Sequence, residues 1–380
     1  MTTARLHFDM VVIGFGKGGK TLAGAYAKTG KNVALIEQSS NMYGGTCINI
    51  GCVPTKALVH RADEFRASGE HNADAANAAY ESAVIFRDKL TSAMRAKNRE
   101  ILESNATAKL IDGHARFLSD TEVEVTAGED KLVVTADCFI INTGAVATIP
   151  PIPGARESKR VLTSTELQKI TPRPKRLGII GGGPIGVEFA GIFSSYGTEV
   201  TLLEGAPALF GRYDDDVAQA AREIIADQGI TAHAGVRVET VTDNADSVTV
   251  NYLDSEGASK HLEVDYVMVA TGRKPATEGL GLENTSIETT EHGAIAVDEH
   301  LRTTAPNIFA LGDVNGGPQF TYISLDDYRV VLSQLLGDGS RSTKDRQAVA
   351  ATIYMNPPLS SVGLTERDAL AAGHTIKVAA

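Results

Sequence analysis

The sequence predicts an α/β fold with two parallel sheets, because one strand–loop–helix–strand pattern occurs twice along its 380 residues. In each copy a short apolar run leads through a glycine-rich loop into a helix, and a second apolar run ends in glutamate. Hydrophobic residues make up 43% of the chain and charged residues 22%, which is the balance of an ordinary globular protein. Fibrous and disordered classes are therefore excluded.

The first copy starts with the apolar residues 10–13, which predict a buried parallel strand. The glycine-rich residues 14–19 follow and open a helix, and Gly30 stands where a helix C-cap belongs. Residues 33–36 then predict a second strand, which ends in Glu37.

The second copy repeats this order at a constant offset in the sequence. Residues 177–180 predict its first strand, residues 181–186 form its loop, and Gly197 marks the end of its helix. Residues 200–203 predict its second strand, which ends in Glu204. A single glycine-rich loop is weak evidence, so the informative observation is the coincidence of loop, cap and acid in two copies.

The spacing G-x-G-x-x-G in both loops is typical of Rossmann-like dinucleotide-binding domains. The first glycine forms the tight turn, the second lets a pyrophosphate approach the backbone, and the third lets helix and strand pack closely. The helix N-terminus attracts the phosphates. Glu37 and Glu204 would accept hydrogen bonds from ribose hydroxyls, and Glu204 would repel a 2′-phosphate, which favours NADH over NADPH. The glycines are Gly14, Gly16 and Gly19 in the first loop and Gly181, Gly183 and Gly186 in the second.

Residues 14–21 also fit the phosphate-loop pattern G-x-x-x-x-G-K-T, which makes a P-loop NTPase the remote alternative. Lys20 would then bind phosphates and Thr21 would bind magnesium. Such an enzyme also needs a later strand that ends in a magnesium-binding Asp, and the sequence offers no convincing one. The acid at Glu37 and the second loop, which lacks the Lys-Thr ending, favour the dinucleotide interpretation.

Two of the three cysteines, Cys47 and Cys52, lie five residues apart at the start of a predicted helix, with Pro54 near its first turn. A helix N-terminus stabilises a thiolate, so this arrangement is typical of a redox-active pair. A zinc site would need further cysteine or histidine ligands, and none accompany the pair at suitable spacing. Inert buried cysteines and a structural disulfide are the remaining alternatives.

Residues 44–56 resemble the redox-active signature of the class I pyridine nucleotide-disulfide oxidoreductases, and four further stretches follow in that family's order. They are residues 113–115, 141–145, 270–273 and 308–313. The resemblance covers essentially the whole chain. It implies an α/β architecture with two Rossmann-like domains, one for FAD and one for NAD, and the start of an α+β interface domain. It also implies FAD and NADH as cofactors, with NADPH as the alternative donor. The nine histidines show no metal-ligand spacing, so we expect no metal.

Residues 41–43 and 317–329 resemble a subgroup of this family, the bacterial reactive-chlorine-resistance flavoproteins. That likeness implies an oxidised small sulfur species, hypothiocyanous acid, or Cu(II) as the substrate. Dihydrolipoamide dehydrogenase, a glutathione-type disulfide reductase and mercuric reductase are the alternatives within the family.

The family resemblance implies a relay in which NADH reduces FAD and the reduced flavin opens a Cys47–Cys52 disulfide. Cys52 would face the flavin, and Cys47 would meet the substrate. Lys56 would lie near the flavin and pair with Glu188; otherwise Lys56 is a solvated helix residue and Glu188 an acid favoured in a first helical turn. The implied cofactor contacts, beside the six loop glycines and two terminal glutamates, are Gly45, Thr46, Lys56, Ala115, Thr143, Gly144, Ile185, Val238, Gly272, Asp313 and Thr321.

The order of the motifs divides the chain into four predicted segments. They are a first FAD-binding segment at 1–148, an NAD(P)H-binding domain at 149–271, a central FAD segment at 272–346 and a shortened dimerisation domain at 347–380. The resemblance implies a longer final domain, which forms the dimer interface and supplies a His–Glu pair to the partner. We therefore expect this chain to bind FAD but to form the family's homodimer poorly.

The formal net charge of −11 argues against nucleic acid or an anionic membrane as a partner, because both attract basic proteins. No apolar run approaches the roughly 20 residues of a membrane span, and the first ten residues lack the pattern of an export signal. The sequence therefore predicts a cytoplasmic enzyme. The resemblance to the reactive-chlorine-resistance subgroup implies oxidative-stress chemistry on a small-molecule oxidant.

Overall fold

A computed structural model describes residues 4–70 and 72–379 of the chain. Residues 1–3, 71 and 380, which include the outer ends of the first and last predicted segments, lie outside the described residues. The α-helices are α1 (Lys17–Ala27), α2 (Thr46–Asn49), α3 (Cys52–Ala67), α4 (Ala73–Glu103), α5 (Ser164–Leu167), α6 (Pro184–Ser195), α7 (Asp215–Asp227), α8 (Thr321–Leu336) and α9 (Glu366–Ala371).

The strands follow the same chain order. The first ten are β1 (Ala4–Ile13), β2 (Val33–Glu37), β3 (Ala108–Asp112), β4 (His114–Ser119), β5 (Glu122–Ala127), β6 (Asp130–Ile141), β7 (Ala145–Ala147), β8 (Val161–Leu162), β9 (Arg176–Ile180) and β10 (Glu199–Glu204). The remaining strands are β11 (Thr231–Ala234), β12 (Arg237–Asp243), β13 (Val248–Leu253), β14 (Ser259–Val264), β15 (Tyr266–Val269), β16 (Arg273–Pro275), β17 (Ile308–Ala310), β18 (Ala351–Ile353) and β19 (Leu359–Ser361).

The described residues form two compact units, each assembled from separate stretches of the chain. The first unit consists of residues 4–53, 89–146 and 273–347. The second unit consists of residues 54–70, 72–88, 147–272 and 348–379. The predicted first FAD segment includes residues 54–88. In the structure, the described residues of this range belong to the second unit.

The first unit is built on a sheet in the order β3-β2-β1-β6-β5-β4, with β17 also paired to β6. Strands β1, β2, β3, β6 and β17 run parallel to one another, and β5 runs antiparallel to its neighbours β4 and β6. Along β1, Val11 and Ile13 enter one apolar cluster, and Met10 and Val12 enter another. Because successive strand residues point to opposite faces, this apolar run buries both faces of the sheet.

The second unit is built on a wholly parallel sheet in the order β11-β10-β9-β15-β8. Neighbouring residues again enter different apolar clusters, Ile179 with Leu202 on one face and Ile180 with Leu203 on the other. The antiparallel strands β12, β13 and β14 form a separate three-stranded sheet in this unit. The predicted α/β class with two Rossmann-like sheets is confirmed.

A long polar pattern typical of a helix runs from about residue 75 to residue 104 of the sequence, and it folds as the single helix α4. No helix among the described residues combines the length and the apolar character that crossing a membrane requires.

Candidate active site

The two glycine-rich loops adopt the same geometry. Gly14 follows β1 with a φ of +99°, and Gly181 follows β9 with a φ of +110°, conformations that strongly favour glycine. The N–H of Gly14 donates to the carbonyl of Ile36, and the N–H of Gly181 donates to that of Leu203, both at 2.8 Å. Each loop therefore turns sharply after its first strand while remaining bonded to the second.

The first glycine of each loop lies against a crossing backbone segment. A Cβ on Gly14 would lie 2.4 Å from the carbonyl oxygen of Asn142, and one on Gly181 would lie 2.5 Å from that of Ala270. The third glycine of the second loop is equally restricted, since a Cβ on Gly186 would lie 2.0 Å from the carbonyl oxygen of Gly181. At these positions a side chain is excluded by the protein's own backbone and not by a ligand.

The second glycine differs between the two loops. A Cβ on Gly16 would lie 2.6 Å from Oδ1 of Asn142, so the protein itself needs that space. A Cβ on Gly183 would meet nothing within 4 Å, so the backbone is open to a ligand at that point. Close approach of a pyrophosphate is thus the better explanation for Gly183 than for Gly16.

Asn142 is a buried anchor of the first loop that the sequence pattern did not indicate. Its Oδ1 accepts from the N–H of Gly19 at 2.9 Å, and its Nδ2 donates to the carbonyl of Leu311 at 2.7 Å. It precedes the predicted Thr-Gly pair at 143–144, whereas the second unit has Ala270 at the matching place. Asn142 and Ala270 differ although the two loops otherwise match, and this difference was the signal in the sequence that could have indicated Asn142.

The glutamates that end β2 and β10 fold back onto their own loops. In each, one carboxylate oxygen accepts from a loop N–H and the other accepts from an N–H two residues after the glutamate. Burial raises the pKa of Glu37 above its usual value. The donors are Phe15 (3.0 Å) and Ser39 (3.1 Å) for Glu37, and Gly182 (2.5 Å) and Ala206 (2.6 Å) for Glu204.

Both units therefore fit a dinucleotide. Helices α1 and α6 begin after Gly16 and Gly183, which have no side chain with which to cap the first turn. A helix start attracts a phosphate, and the fixed carboxylate beside each loop suits a ribose hydroxyl. In α1 the N–H groups of Gly18 and Gly19 already donate to Ser324 and Asn142. Residues of this kind could hold FAD in the first unit and NAD(P)H in the second.

Asp313, one of the predicted cofactor contacts, follows a turn that is fixed by a second aspartate. The carboxylate of Asp327 is only 1% exposed and accepts from the N–H of Gly312 at 2.7 Å. Arg346 forms an ion pair with Asp327. Burial raises the pKa of Asp313 and of Asp327, and the positive charge of Arg273 opposes this rise at Asp313.

The structure brings the predicted redox pair together in the first unit. Cys47 lies in α2, Cys52 is the first residue of α3, and both are free thiols within hydrogen-bonding distance of each other. The Sγ of Cys52 lies 3.4 Å from the Oγ1 of Thr321, the first residue of α8. Two helix N-termini therefore reach this pair, and a helix N-terminus favours negative charge on sulfur.

The two thiols are not equivalent. The hydrogen bond with Cys52 raises the pKa of Cys47, and partial burial raises it further, while Thr321 and Lys20 act in the opposite direction. Cys47 is also partly buried, whereas Cys52 is exposed. Burial raises the pKa of Cys138 to about 12, which makes it an unreactive core thiol.

Lys56 and Glu188 form the predicted ion pair within the second unit. The Nζ of Lys56 lies 2.5 Å from Oε2 of Glu188, whose side chain is 6% exposed. Tyr354 completes the group, because its N–H donates to Oε1 of Glu188 at 3.1 Å and its ring lies under the ammonium, 4.3 Å from ring centre to Nζ. The ion pair is confirmed as a contact, and Tyr354 is an addition that sequence spacing could not indicate.

Comparison with known proteins assigns this arrangement to a family. Residues 8–327 match the family described as pyridine nucleotide-disulphide oxidoreductase. The chain belongs to this family. It is 45% identical to the probable pyridine nucleotide-disulfide oxidoreductase RclA of Escherichia coli, over 98% of this chain and 80% of RclA. It is 35% identical to a mercuric reductase of Staphylococcus aureus, over 97% of this chain and 67% of that protein.

A solved structure supports the same assignment. The Cu(II) complex of the HOCl-induced flavoprotein disulfide reductase RclA from Escherichia coli superposes with a TM-score of 0.89 at 44% identity. The match covers 98% of this chain and 80% of RclA. As a pyridine nucleotide-disulfide oxidoreductase, this chain is an enzyme that uses FAD and NAD(P)H.

The residues that suggested a phosphate loop have other partners in this oxidoreductase. The Oγ1 of Thr21 donates to the carbonyl of Lys17 inside α1 at 2.6 Å, and the Nζ of Lys20 donates to Asn98. Family membership and these contacts together make the NTPase alternative wrong.

The remaining predicted cofactor contacts of the oxidoreductase lie in both units. In the first unit, Gly45 precedes Thr46 at the start of α2, Ala115 is buried in β4, Thr143 donates through Oγ1 to the carbonyl of Ala276 at 2.8 Å, and Gly144 has a φ of +74°. In the second unit, Ile185 lies in the first turn of α6, Gly272 has a φ of +115°, and Val238 lies in β12 against an apolar cluster.

Proposed function

We propose that this enzyme passes electrons from NADH through Cys47 and Cys52 to an oxidised small sulfur species, hypothiocyanous acid, with Cu(II) as a second acceptor. The hydrogen-bonded thiol pair at two helix N-termini is the observation that supports this most directly. The likeness to RclA, an HOCl-induced reductase with a Cu(II) complex, supports the choice of substrate. We place the reaction in the cytoplasm, where NADH supplies the electrons.

The second unit would hold the nucleotide and the first unit the flavin. The carboxylate of Glu204 is fixed by the backbone N–H groups of Gly182 and Ala206, so it would meet a ribose hydroxyl and repel a 2′-phosphate. NADH is therefore the proposed donor. FAD, when bound, would supply the flavin chemistry that links the nicotinamide to the disulfide, and the residues of the first glycine loop would hold it. Lys56, held by Glu188 and Tyr354, is the cation we assign to the negative charge of the reduced cofactor.

The unequal thiols support different roles for the two cysteines. By its place in the family's redox signature, Cys52 is the thiol that we assign to the flavin side. Cys47 is the proposed nucleophile toward substrate.

The chemistry balances with these two sulfurs alone. The Cys47 thiolate attacks the sulfur of HOSCN, an S–S bond forms, the S–O bond breaks, and hydroxide leaves. The Cys52 thiolate then attacks Cys47, the first S–S bond breaks, and thiocyanate leaves as the Cys47–Cys52 disulfide forms. Two electrons pass from the thiols to the substrate, and a proton converts hydroxide to water.

An anaerobic absorption spectrum before and after one equivalent of NADH tests the electron path. We expect loss of flavin absorbance and a new long-wavelength band from a thiolate–flavin contact. The variant Cys47→Ser should keep the flavin and the band but lose HOSCN reduction, whereas Cys138→Ser serves as the matched control with full activity. Full NADH-dependent turnover in Cys47→Ser would refute the proposed relay.

Competition between substrates tests the second half of the proposal. The wild-type enzyme should reduce HOSCN with a far higher kcat/KM than lipoamide, oxidised glutathione or Hg(II). Lipoamide turnover that equals HOSCN turnover would instead assign the enzyme to the dihydrolipoamide dehydrogenases.

A further inference from the structure

Lys20 occupies the position that the phosphate-loop pattern would give to a phosphate ligand, but its side chain has protein partners. Its Nζ donates to Oδ1 of Asn98 at 2.5 Å and to the carbonyl of Gly44 at 3.3 Å. Gly44 lies three residues before Cys47. The lysine on α1 is therefore bonded directly to the loop that leads into the redox pair.

Side chains hold three consecutive carbonyl groups of this loop. The Nδ2 of Asn49 donates to the carbonyl of Tyr43 at 3.0 Å and to that of Gly45 at 2.9 Å. Lys20 supplies the donor for the carbonyl of Gly44 between them. The backbone that precedes Cys47 is thus fixed by an amide and an ammonium group.

The second half of α4 supports both of these side chains. The Nη1 of Arg95 donates to Oδ1 of Asn49 at 3.2 Å, and Asn98, one helical turn later, accepts from Lys20. The Nδ2 of Asn98 donates to the carbonyl of Met94 at 2.7 Å, which fixes the orientation of its amide. The loop, Lys20 and α4 therefore form one bonded cluster inside the first unit.

The positive charge of Lys20 needs an explanation beyond these hydrogen bonds. Among the described residues, no carboxylate lies within 4.0 Å of its Nζ. Burial, together with the nearby charge of Lys17, lowers the pKa of Lys20 to about 8, although Cys47 acts in the opposite direction. A glutamine could donate the same hydrogen bonds without the free-energy cost of a partly buried cation. A negative charge beside the ammonium would offset that cost.

The Cys47 sulfur is the group on which such a charge develops. When two electrons cleave the Cys47–Cys52 bond, the sulfurs gain two negative charges, of which one is neutralised by a proton. Cys47 must still become a thiolate to attack its substrate. Lys20, whose ammonium bonds to the carbonyl three residues before Cys47, is a cation whose charge favours this thiolate.

We propose that Lys20 is a positioning residue of the redox centre, which fixes the carbonyl of Gly44 and compensates the negative charge of the Cys47 thiolate. This inference rests on the proposed function, because it takes Cys47 as the thiol that attacks the substrate. It gives the lysine of the apparent phosphate loop a role in thiol chemistry and none in phosphate binding.

Thiol alkylation tests the inference without using substrate turnover. The FAD-loaded protein is reduced anaerobically with NADH and treated with iodoacetamide from about pH 6 to pH 9, and the Cys47 adduct is measured by mass spectrometry. Lys20→Gln keeps a hydrogen-bond donor but removes the charge, Lys20→Arg keeps the charge, and Lys28→Gln removes an exposed lysine at the end of α1 as the matched control.

We expect Lys20→Gln to slow alkylation of Cys47 at pH 7 by about threefold or more and to shift its pH profile upward, because a cation stabilises the thiolate. Lys20→Arg should recover most of the rate, and Lys28→Gln should match the wild type. Asn98→Ala, which frees the ammonium from α4, should change the profile in the same direction and provides the test if Lys20→Gln fails to fold.

Two results would overturn the inference. One is a Cys47 profile in Lys20→Gln that equals the wild type. The other is loss of FAD from that variant with unchanged thiol reactivity after FAD is added back, which would make Lys20 a phosphate ligand. If NADH exposes no new thiols in the wild type, the proposed function fails instead, so the two failures are distinguishable.

Discussion

At the scale of single residues, the hydroxyl of Thr321 offers a sharp test of how the thiols are tuned. It lies 3.4 Å from the Sγ of Cys52, and its hydrogen bonding lowers the pKa of Cys47. A hydroxyl that donates to a thiolate stabilises the charged form, and its removal therefore raises the thiol pKa.

We expect Thr321→Val to raise the apparent pKa of the thiol pair by about half to one unit, since a net hydrogen bond contributes about 0.5–1.5 kcal/mol. The rate of HOSCN reduction should fall near neutral pH and recover as the pH is raised through the new pKa. Thr321→Ser keeps the hydroxyl and is the control. A pH–rate profile of kcat/KM in Thr321→Val that coincides with that of Thr321→Ser would contradict the prediction.

The residues that sequence spacing could predict are those whose chemistry is rare. Cys47 and Cys52 are two of only three cysteines, and their spacing before a helix pointed to a thiol pair that the structure confirms as adjacent. Asn142 and Tyr354 could not be found in this way. Asn142 forms two hydrogen bonds with backbone groups that are distant in sequence, and Tyr354 makes its contacts through its ring and its N–H. Neither role produces a local sequence pattern.

At the scale of elements, the glycine loop of the second unit separates packing from ligand approach. A Cβ on Gly186 would lie 2.0 Å from the carbonyl oxygen of Gly181, whereas a Cβ on Gly183 would meet nothing within 4 Å. Gly183 also has a φ of −73°, which any residue adopts. The two glycines of one motif should thus respond differently to the same methyl group.

We expect Gly186→Ala to lower the free energy of unfolding by about 1–3 kcal/mol, because the added methyl overpacks the contact between α6 and β9. Gly183→Ala should leave stability within about 0.5 kcal/mol of the wild type but weaken NADH binding, since the methyl projects into the open space at the helix start. Urea unfolding and titration with NADH measure both quantities. Equal destabilisation by the two substitutions would show that the loop packs differently.

The repeated element was predictable because local rules agree within it. Apolar runs, a left-handed glycine and a closing glutamate each indicate the same unit, and the structure shows matching hydrogen bonds in both copies. The partners of α4 were not predictable. Its polar pattern predicted a helix but not that Arg95 and Asn98 would hold the cysteine loop, because those contacts join residues far apart in sequence.

At the scale of the whole molecule, the chain order of motifs differs from the grouping of residues in space. The described residues of 54–88 pack in the second unit, although they follow the redox motif directly in sequence. Tyr80 is fully buried there, and its hydroxyl donates to the carbonyl of Ile170 at 2.9 Å. Sequence motifs mark where a chemistry occurs, whereas apolar contacts of this kind decide the unit to which a segment belongs.

The buried Asp327 of the first unit and the partly buried Asp265 of the second unit should respond to pH in opposite directions. Burial raises the pKa of Asp327 in the first unit, so its ionised form is disfavoured by folding and stability rises as the pH falls through its folded-state pKa. At Asp265 in the second unit, burial is outweighed by hydrogen bonds from Arg176 and Lys175, which lower its pKa below 3.8. Its stabilisation is complete above about pH 5 and is lost as the pH falls through its folded-state pKa.

Substitution of each acid by its amide separates these two contributions. Asp265→Asn should destabilise the holoenzyme by about 1–3 kcal/mol at pH 7 and pH 5.5, because hydrogen bonds from charged and backbone donors are lost, and the difference should shrink below about pH 4. Asp327→Asn removes a titrating group whose folded-state pKa is raised. The free energy of unfolding of this variant should therefore increase less on acidification than that of the wild type. Arg346 keeps its ion pair with Asp326 at 2.8 Å in the variant. Urea unfolding at these pH values measures both slopes. A deficit in Asp265→Asn that grows on acidification would show that its carboxylate is not held ionised by its neighbours.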